Sequence, residues 1–161
     1  MMLDLVVQQA CEASVPGEEE FQRWVGAALA GAGREGDAEI ALRVVDEAEM
    51  AALNERFRGR SGPTNVLSFP ADLPPDLELP LLGDLVLCAP LVEREAREQG
   101  KTAAAHWAHL AVHGTLHLLG YDHQAPAEAA AMEALETDIL GSLGLPCPYG
   151  TEAAEESLHC E

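Results

Sequence analysis

Apolar and polar residues along this chain change period several times, and those changes mark its elements. Residues 3–9, Leu-Asp-Leu-Val-Val-Gln-Gln, alternate in part and predict a first strand. Pro16-Gly17 breaks the chain. Glu18, Glu19 and Glu20 then complement the positive end of a helix over about residues 18–31, which Gly31 and Gly33 close. Residues 38–45, Ala-Glu-Ile-Ala-Leu-Arg-Val-Val, alternate cleanly, as a strand with one buried face does. Asp46, followed three positions later by Glu49, resembles a capping box and opens a helix to about Phe57.

The glycines and proline of Arg58-Gly59-Arg60-Ser61-Gly62-Pro63-Thr64 forbid regular structure, so a loop follows. Asn65 to Phe69 reads as a short strand. Residues 70–80 hold four prolines and three acids, which suits a surface flap. Leu81 to Cys88 form another strand, interrupted by Gly83-Asp84. Helices are predicted at about 90–99, 103–119 and 126–143. The order β-α-β-α-β-β-α-α-α predicts an α+β fold, a mixed sheet of about four strands packed with about five helices. No repeat is visible. Residues 1–146 read as a single domain, and 147–161 as an acidic, poorly ordered tail.

At 161 residues the chain can bury a proper core without staples. No apolar run approaches the roughly 18 residues of a membrane span. The N-terminus shows neither a basic region nor a cleavage site. Cys11, Cys88, Cys147 and Cys160 are scattered without a CxxC pair, so they read as reduced thiols of a cytoplasmic protein, Cys88 within the core. A formal net charge of −19 taken alone argues against a nucleic-acid partner. The basic residues are unevenly spread, however: Arg56, Arg58 and Arg60 place three of the nine Lys and Arg within five positions. Local charge at a cleft can oppose the global sign.

The candidate chemistry lies in residues 113–123, His-Gly-Thr-Leu-His-Leu-Leu-Gly-Tyr-Asp-His. His113 and His117 stand four apart, so on a helix both imidazoles leave one face. Gly120 can end that helix, and the turn can return His123 toward the pair. Three imidazoles with one open position are the ligand set of a catalytic zinc, here at a helix C-terminus and the following turn. The spacing HxxxHxxGxxH also matches a class of zinc proteases, which carry a general-base Glu directly after the first His. Here that position is Gly114. His106 and His109 precede the motif on the same face. His109 and His117 lie roughly 12 Å apart along the axis, too far for one ion. His109 with His113 is an alternative pair, but no turn follows to bring in a third ligand, so His109 is read as supporting a ligand from behind or simply packed, with packing preferred.

Taken with Arg56-Phe57-Arg58-Gly59, Pro63-Thr64-Asn65-Val66-Leu67-Ser68-Phe69-Pro70 and Leu82-Gly83-Asp84, the histidine stretch resembles the YbeY family of bacterial endoribonucleases. The similarity runs from about residue 38 to 143 and includes Val45-Asp46-Glu47 before the helix that ends near Asn54-Glu55-Arg56. The resemblance implies metal-dependent cleavage of single-stranded RNA in ribosomal RNA maturation and ribosome quality control. It also implies His113, His117 and His123 as ligands of one Zn2+, and Arg58 as the functional arginine beside it. Single-stranded or ribosomal RNA and the ribosome or its associated proteins are then the expected partners, with no membrane and no DNA. The chain departs from the family in its acidity and its Cys-containing C-terminal extension.

Such chemistry suits these residues. Zinc polarises a phosphoryl oxygen and lowers the pKa of bound water toward about 7, so the missing Glu is less of a defect. Either that water or the 2′-hydroxyl of the RNA could be the nucleophile. His113 and Arg58 are the candidate catalytic residues, Arg58 neutralising charge on the phosphorus oxygens. Asn65 and Ser68 could contact backbone phosphates or cap the strand. Asp84 could orient a ligand histidine or simply occupy a turn. Two other functions compete: a zinc hydrolase of another class such as a peptidase, and a non-catalytic assembly factor. A structural zinc site normally has four protein ligands, and three are seen.

Overall fold

The computed structural model describes residues 2–11, 15–34, 36–71, 80–121 and 126–145. The elements follow in the order β1 (Leu3–Gln9), α1 (Glu18–Gly31), β2 (Ala38–Val45), α2 (Glu47–Arg58), β3 (Val66–Pro70), β4 (Leu81–Cys88), α3 (Ala89–Glu98), α4 (Ala103–Leu118) and α5 (Pro126–Ser142). The expected order and α+β class hold. Tail residues 147–161, most of the proline-rich segment (72–79) and the turn containing His123 lie outside the described residues.

The four strands form one mixed sheet in the order β1-β2-β4-β3. β1, β2 and β4 run parallel, while β3 pairs antiparallel to β4 and forms an edge of the sheet among the described residues. Alternation decides the faces. Ile40, Leu42, Val44, Leu85 and Leu87 join α1, α4 and α5 in the main core. Val45, Val86, Cys88 and Leu67 turn to the other face and meet Met50 of α2. That second cluster covers only part of its face, and the remainder is an open groove of about 470 Å³.

Helix α4 is apolar around most of its circumference, as a central helix must be. It contacts β3, β4, α1, α3 and α5. Thr102 caps its start, accepting from the Ala105 N–H at 3.1 Å. Phe21 packs edge-on against Trp24 and Trp107, with ring centroids 5.6 and 5.8 Å apart, which locks α1 to α4. The element that carries the histidines is thus packed on several sides by the core.

Two local readings change. Gly83 and Asp84 do not interrupt β4, which continues from Leu81 to Cys88. A register shift between Glu39 and Ile40 falls opposite Gly83. Gly83 has φ +143, and a Cβ there would collide with the carbonyl oxygen of Phe69, so glycine admits an irregularity rather than a break. The Asp46 side chain does accept from the Glu49 N–H at 2.9 Å. The Glu49 carboxylate, however, pairs with Arg43 at 2.8 Å.

Candidate functional site

His113 and His117 lie one turn apart on α4, and the helix aims both at a cleft of about 720 Å³ that Arg58 also lines. Their Nε2 atoms face each other at 3.1 Å. The ring centroids are 4.6 Å apart at an interplanar angle of 76°. Gly120, at φ +101, follows the helix end, and its N–H bonds the His117 carbonyl at 3.0 Å. The predicted turn therefore begins where glycine permits it. His123 and Asp122 lie outside the described residues.

Behind the pair stands Glu136 of α5, completely buried. One carboxylate oxygen lies 2.6 Å from His113 Nδ1 and the other 3.1 Å from His109 Nε2. Burial raises the pKa of Glu136, but the hydrogen bonds from His109 and His113 outweigh it and hold the carboxyl down to about 2. Burial pushes His109 below the ordinary histidine value, so it stays neutral at neutral pH. An ionised carboxylate only accepts, so each imidazole must donate to it. His113 therefore donates through Nδ1, which turns its Nε2 toward His117 and the cleft.

His109 is accordingly not simply packed; it shares the carboxylate that orients His113. Sequence reading missed Glu136, although a signal existed. Met132, Glu136 and Leu140 occupy one helical stripe at intervals of four, and the flanking two are core residues. A carboxylate inside an apolar stripe demands a buried partner.

Arg58 closes the cleft from the other side. Its Nη2 donates to the Ser68 carbonyl at 2.7 Å, which ties the end of α2 to β3. Asn54 fixes the intervening loop by donating from Nδ2 to the Gly62 carbonyl at 2.9 Å. The two polar side chains proposed for phosphate contact are engaged within the protein. Asn65 Nδ2 donates to Glu95 at 3.1 Å, and Glu95 also meets His106 Nε2 at 2.9 Å. Ser68 Oγ donates to the Gly114 carbonyl at 3.0 Å. Asp84 lines the groove on the opposite face of the sheet, away from the histidines.

The position where a zinc protease carries its Glu has a steric explanation. A Cβ on Gly114 would stand 2.8 Å from Leu85 Cδ2, 3.2 Å from Ser68 Oγ and 3.3 Å from Val66 Cγ2. This side of α4 lies directly against β3 and β4, so a glutamate there would enter the sheet contact rather than the cleft.

Among the described residues, His109, His113 and Glu136 offer donor atoms within 4.8 Å of one another, a group able to hold an ion. His113 also offers Nε2 on its other side, beside His117. The two placements differ in access. The first is closed by a hydrogen bond of 2.6 Å to a carboxylate with no exposure, whereas the second opens on the cleft. Two imidazoles whose Nε2 atoms converge, one of them backed by a carboxylate, suit a borderline-soft divalent metal.

Comparison with known proteins agrees with this architecture. The family model described as Endoribonuclease YbeY matches residues 7–144. A protein of that name from Alkalilimnicola ehrlichii is 62% identical over 151 residues, covering 91% of each chain. Another from Pseudomonas entomophila is 54% identical over 159 residues, covering 98% of this chain and all of the relative. The solution structure of TM1509 from Thermotoga maritima superposes with a TM-score of 0.58 at 25% identity, covering 89% of this chain and 92% of that one. Sequence and fold together make the chain a member of the endoribonuclease YbeY family.

Proposed function

We propose that this protein is a zinc-dependent endoribonuclease that cuts single-stranded RNA, with His113, His117 and His123 holding the ion. Its place is in ribosomal RNA maturation, including 3′-end processing of 16S rRNA, and in ribosome quality control. The observation that carries this reading is the pair of Nε2 atoms 3.1 Å apart on the wall of a cleft that Arg58 overlooks. Bound between these imidazoles, zinc would supply Lewis acidity toward a phosphoryl oxygen and toward water.

The chain's own groups complete the site. Glu136 accepts from His113 Nδ1 and so aims Nε2 of that ring at His117 and the cleft. Arg58, anchored through the Ser68 carbonyl, presents a permanently charged planar fork beside the histidines, where charge builds on a phosphorus. Arg60 lines the same cleft, so two of the nine Lys and Arg of a chain with net charge −19 stand where a polyanion would enter. Packing at Gly114 disfavours the peptidase alternative, because it leaves no room for a side-chain base at that position.

No helix among the described residues is long and apolar enough to cross a membrane. The reading places the protein in the cytoplasm, on ribosomes or ribosome-associated proteins, with residues 1–146 as the working domain and 147–161 as an appended tail. DNA is not an expected substrate.

Metal content by mass spectrometry, measured with single-stranded RNA cleavage for wild type and His117→Ala, tests it. About one zinc per chain, lost together with cleavage in the variant, is the expected result. Wild-type protein that takes up no metal after reconstitution overturns the assignment. Metal without cleavage, even with ribosomal subunits present, points to the non-catalytic assembly factor instead.

A further inference from the structure

Phe57 is 53% exposed, an unusual position for an aromatic ring in a chain whose Phe21, Trp24 and Trp107 are buried. It extends the apolar stripe of α2, following Met50 and Leu53, past the covered part of the sheet. There it stands beside the open groove rather than in a core. Its ring packs edge-to-face with Phe69, the centroids 5.4 Å apart. Two guanidinium groups overlie this aromatic pair. Arg56 Cζ lies 5.1 Å from the centre of the Phe57 ring, and Arg58 Cζ lies 5.8 Å from that of Phe69.

Position gives the pair its meaning. β3 is an edge strand of the sheet among the described residues, with Ser68 turned toward α4 and Phe69 toward the opposite face. Arg58 stands at that edge. It lines the histidine cleft, bonds the Ser68 carbonyl and overlies Phe69 at once. Arg58 therefore links the cleft of His113 and His117 to Phe69 and Phe57 around the sheet edge.

Resting on the ribonuclease reading, we infer that Phe57 with its overlying Arg56 is a stacking platform for an unpaired base of the RNA strand. That base belongs to a nucleotide flanking the one whose phosphate lies at Arg58. A flat guanidinium layered on an aromatic ring is the surface on which single-stranded bases stack, whatever their identity. An apolar protein segment docking in the same groove would gain nothing from three arginines concentrated within residues 56–60 of an acidic chain. A polyanion carrying bases uses both features. Such a platform would favour unpaired RNA, since a base inside a duplex has no free face to offer.

The experiment compares wild type, Phe57→Leu and Phe57→Trp, each loaded with zinc and checked for folding by circular dichroism. The probe is a 2′-O-methyl single-stranded oligonucleotide with 2-aminopurine placed at successive positions. Phe57→Leu is expected to weaken binding about tenfold or more, to raise KM for the cleavable RNA, and to abolish fluorescence quenching at one position. Phe57→Trp is expected to keep binding and quenching. Wild-type affinity and quenching in Phe57→Leu overturn the platform while leaving the ribonuclease intact. So does a variant that binds RNA normally but no longer cosediments with small ribosomal subunits, which makes the groove a protein dock. A folded wild type that neither binds nor cuts RNA removes the underlying reading as well.

Discussion

Glu136 meets His113 across the α4–α5 contact at 2.6 Å, and its second oxygen reaches His109. The carboxylate is fully buried and therefore depends on both imidazoles for its charge. Their dependence is mutual, because the carboxylate decides which nitrogen of each ring carries the proton. Glu136 thus acts through His113 as a positioning residue.

Replacing Glu136 with Gln keeps the shape and a hydrogen-bond acceptor but removes the charge. Zinc affinity is expected to fall about 10- to 100-fold, the usual cost of losing such a carboxylate behind a ligating histidine. Competition with a chromophoric chelator measures it, and nitrogen shifts of the His113 ring report the tautomer. A variant with unchanged affinity and an unchanged Nδ1-protonated ring sinks the idea. Glu136→Ala differs, since it strands buried donors and is expected to cost stability by about 1–3 kcal/mol.

Arg58 gives a separable prediction. Its guanidinium is positioned by the Ser68 carbonyl rather than by the histidines, so zinc content need not change when it is replaced. Arg58→Ala is expected to lower kcat for RNA cleavage by about 100- to 1000-fold, the scale for losing one preorganised charge-stabilising group. Arg58→Lys is expected to restore little, because a point charge lacks the planar fork. Steady-state cleavage kinetics with parallel zinc assays decide it. Loss of zinc along with activity would assign Arg58 to holding the site together instead.

How much of this was visible in the sequence depended on range. Strands and helices came through because period and capping are local: the alternation of Ala38–Val45 and the Asp46 cap each need only a few residues. The pairing of His113 with His117 is local too, fixed by one helical turn. Glu136 is 23 residues from His113 in sequence, and its role exists only once α5 folds back onto α4. Asn65 and Ser68 looked available for phosphate because sequence shows polar groups but not their partners. Glu95 and the Gly114 carbonyl, 30 and 46 residues away, claim them. The Gly83 irregularity was misread as a break for the same reason: its explanation lies in the neighbouring strand.

Gly114 tests the steric account of the missing glutamate. Alanine there gains up to about 1 kcal/mol in helix propensity. Overpacking against Leu85, Ser68 and Val66 costs about 1–3 kcal/mol. The net expectation is a loss of about 1 kcal/mol in urea unfolding. Gly114→Glu must also bury a charge and is expected to lose on the order of 3 kcal/mol or more, with no gain of peptidase activity. A Gly114→Glu protein as stable as wild type would show that this side of α4 can open.

Acidification probes the network behind the loop beside the cleft. His106 is buried, and burial pushes its pKa below the ordinary value of 6.5, with the Glu95 hydrogen bond opposing in part. His109 shifts the same way for the same reason. With folded values below unfolded ones, the unfolded chain binds more protons in mild acid. The stability is complete above the unfolded value and is lost as pH falls toward the folded ones. Glu136, held down to about 2, continues that loss once pH drops through the ordinary carboxylate range. Urea midpoints of metal-free protein are therefore expected to fall steadily from about pH 7 to pH 5 and further below. His106→Gln, which keeps a polar partner for Glu95 but cannot titrate, is expected to flatten the upper part of that slope. Midpoints that stay level or rise on acidification would mean that these histidines are protonated in the fold. The loop carrying Asn65 would then be held by charge rather than by a neutral hydrogen-bonded relay.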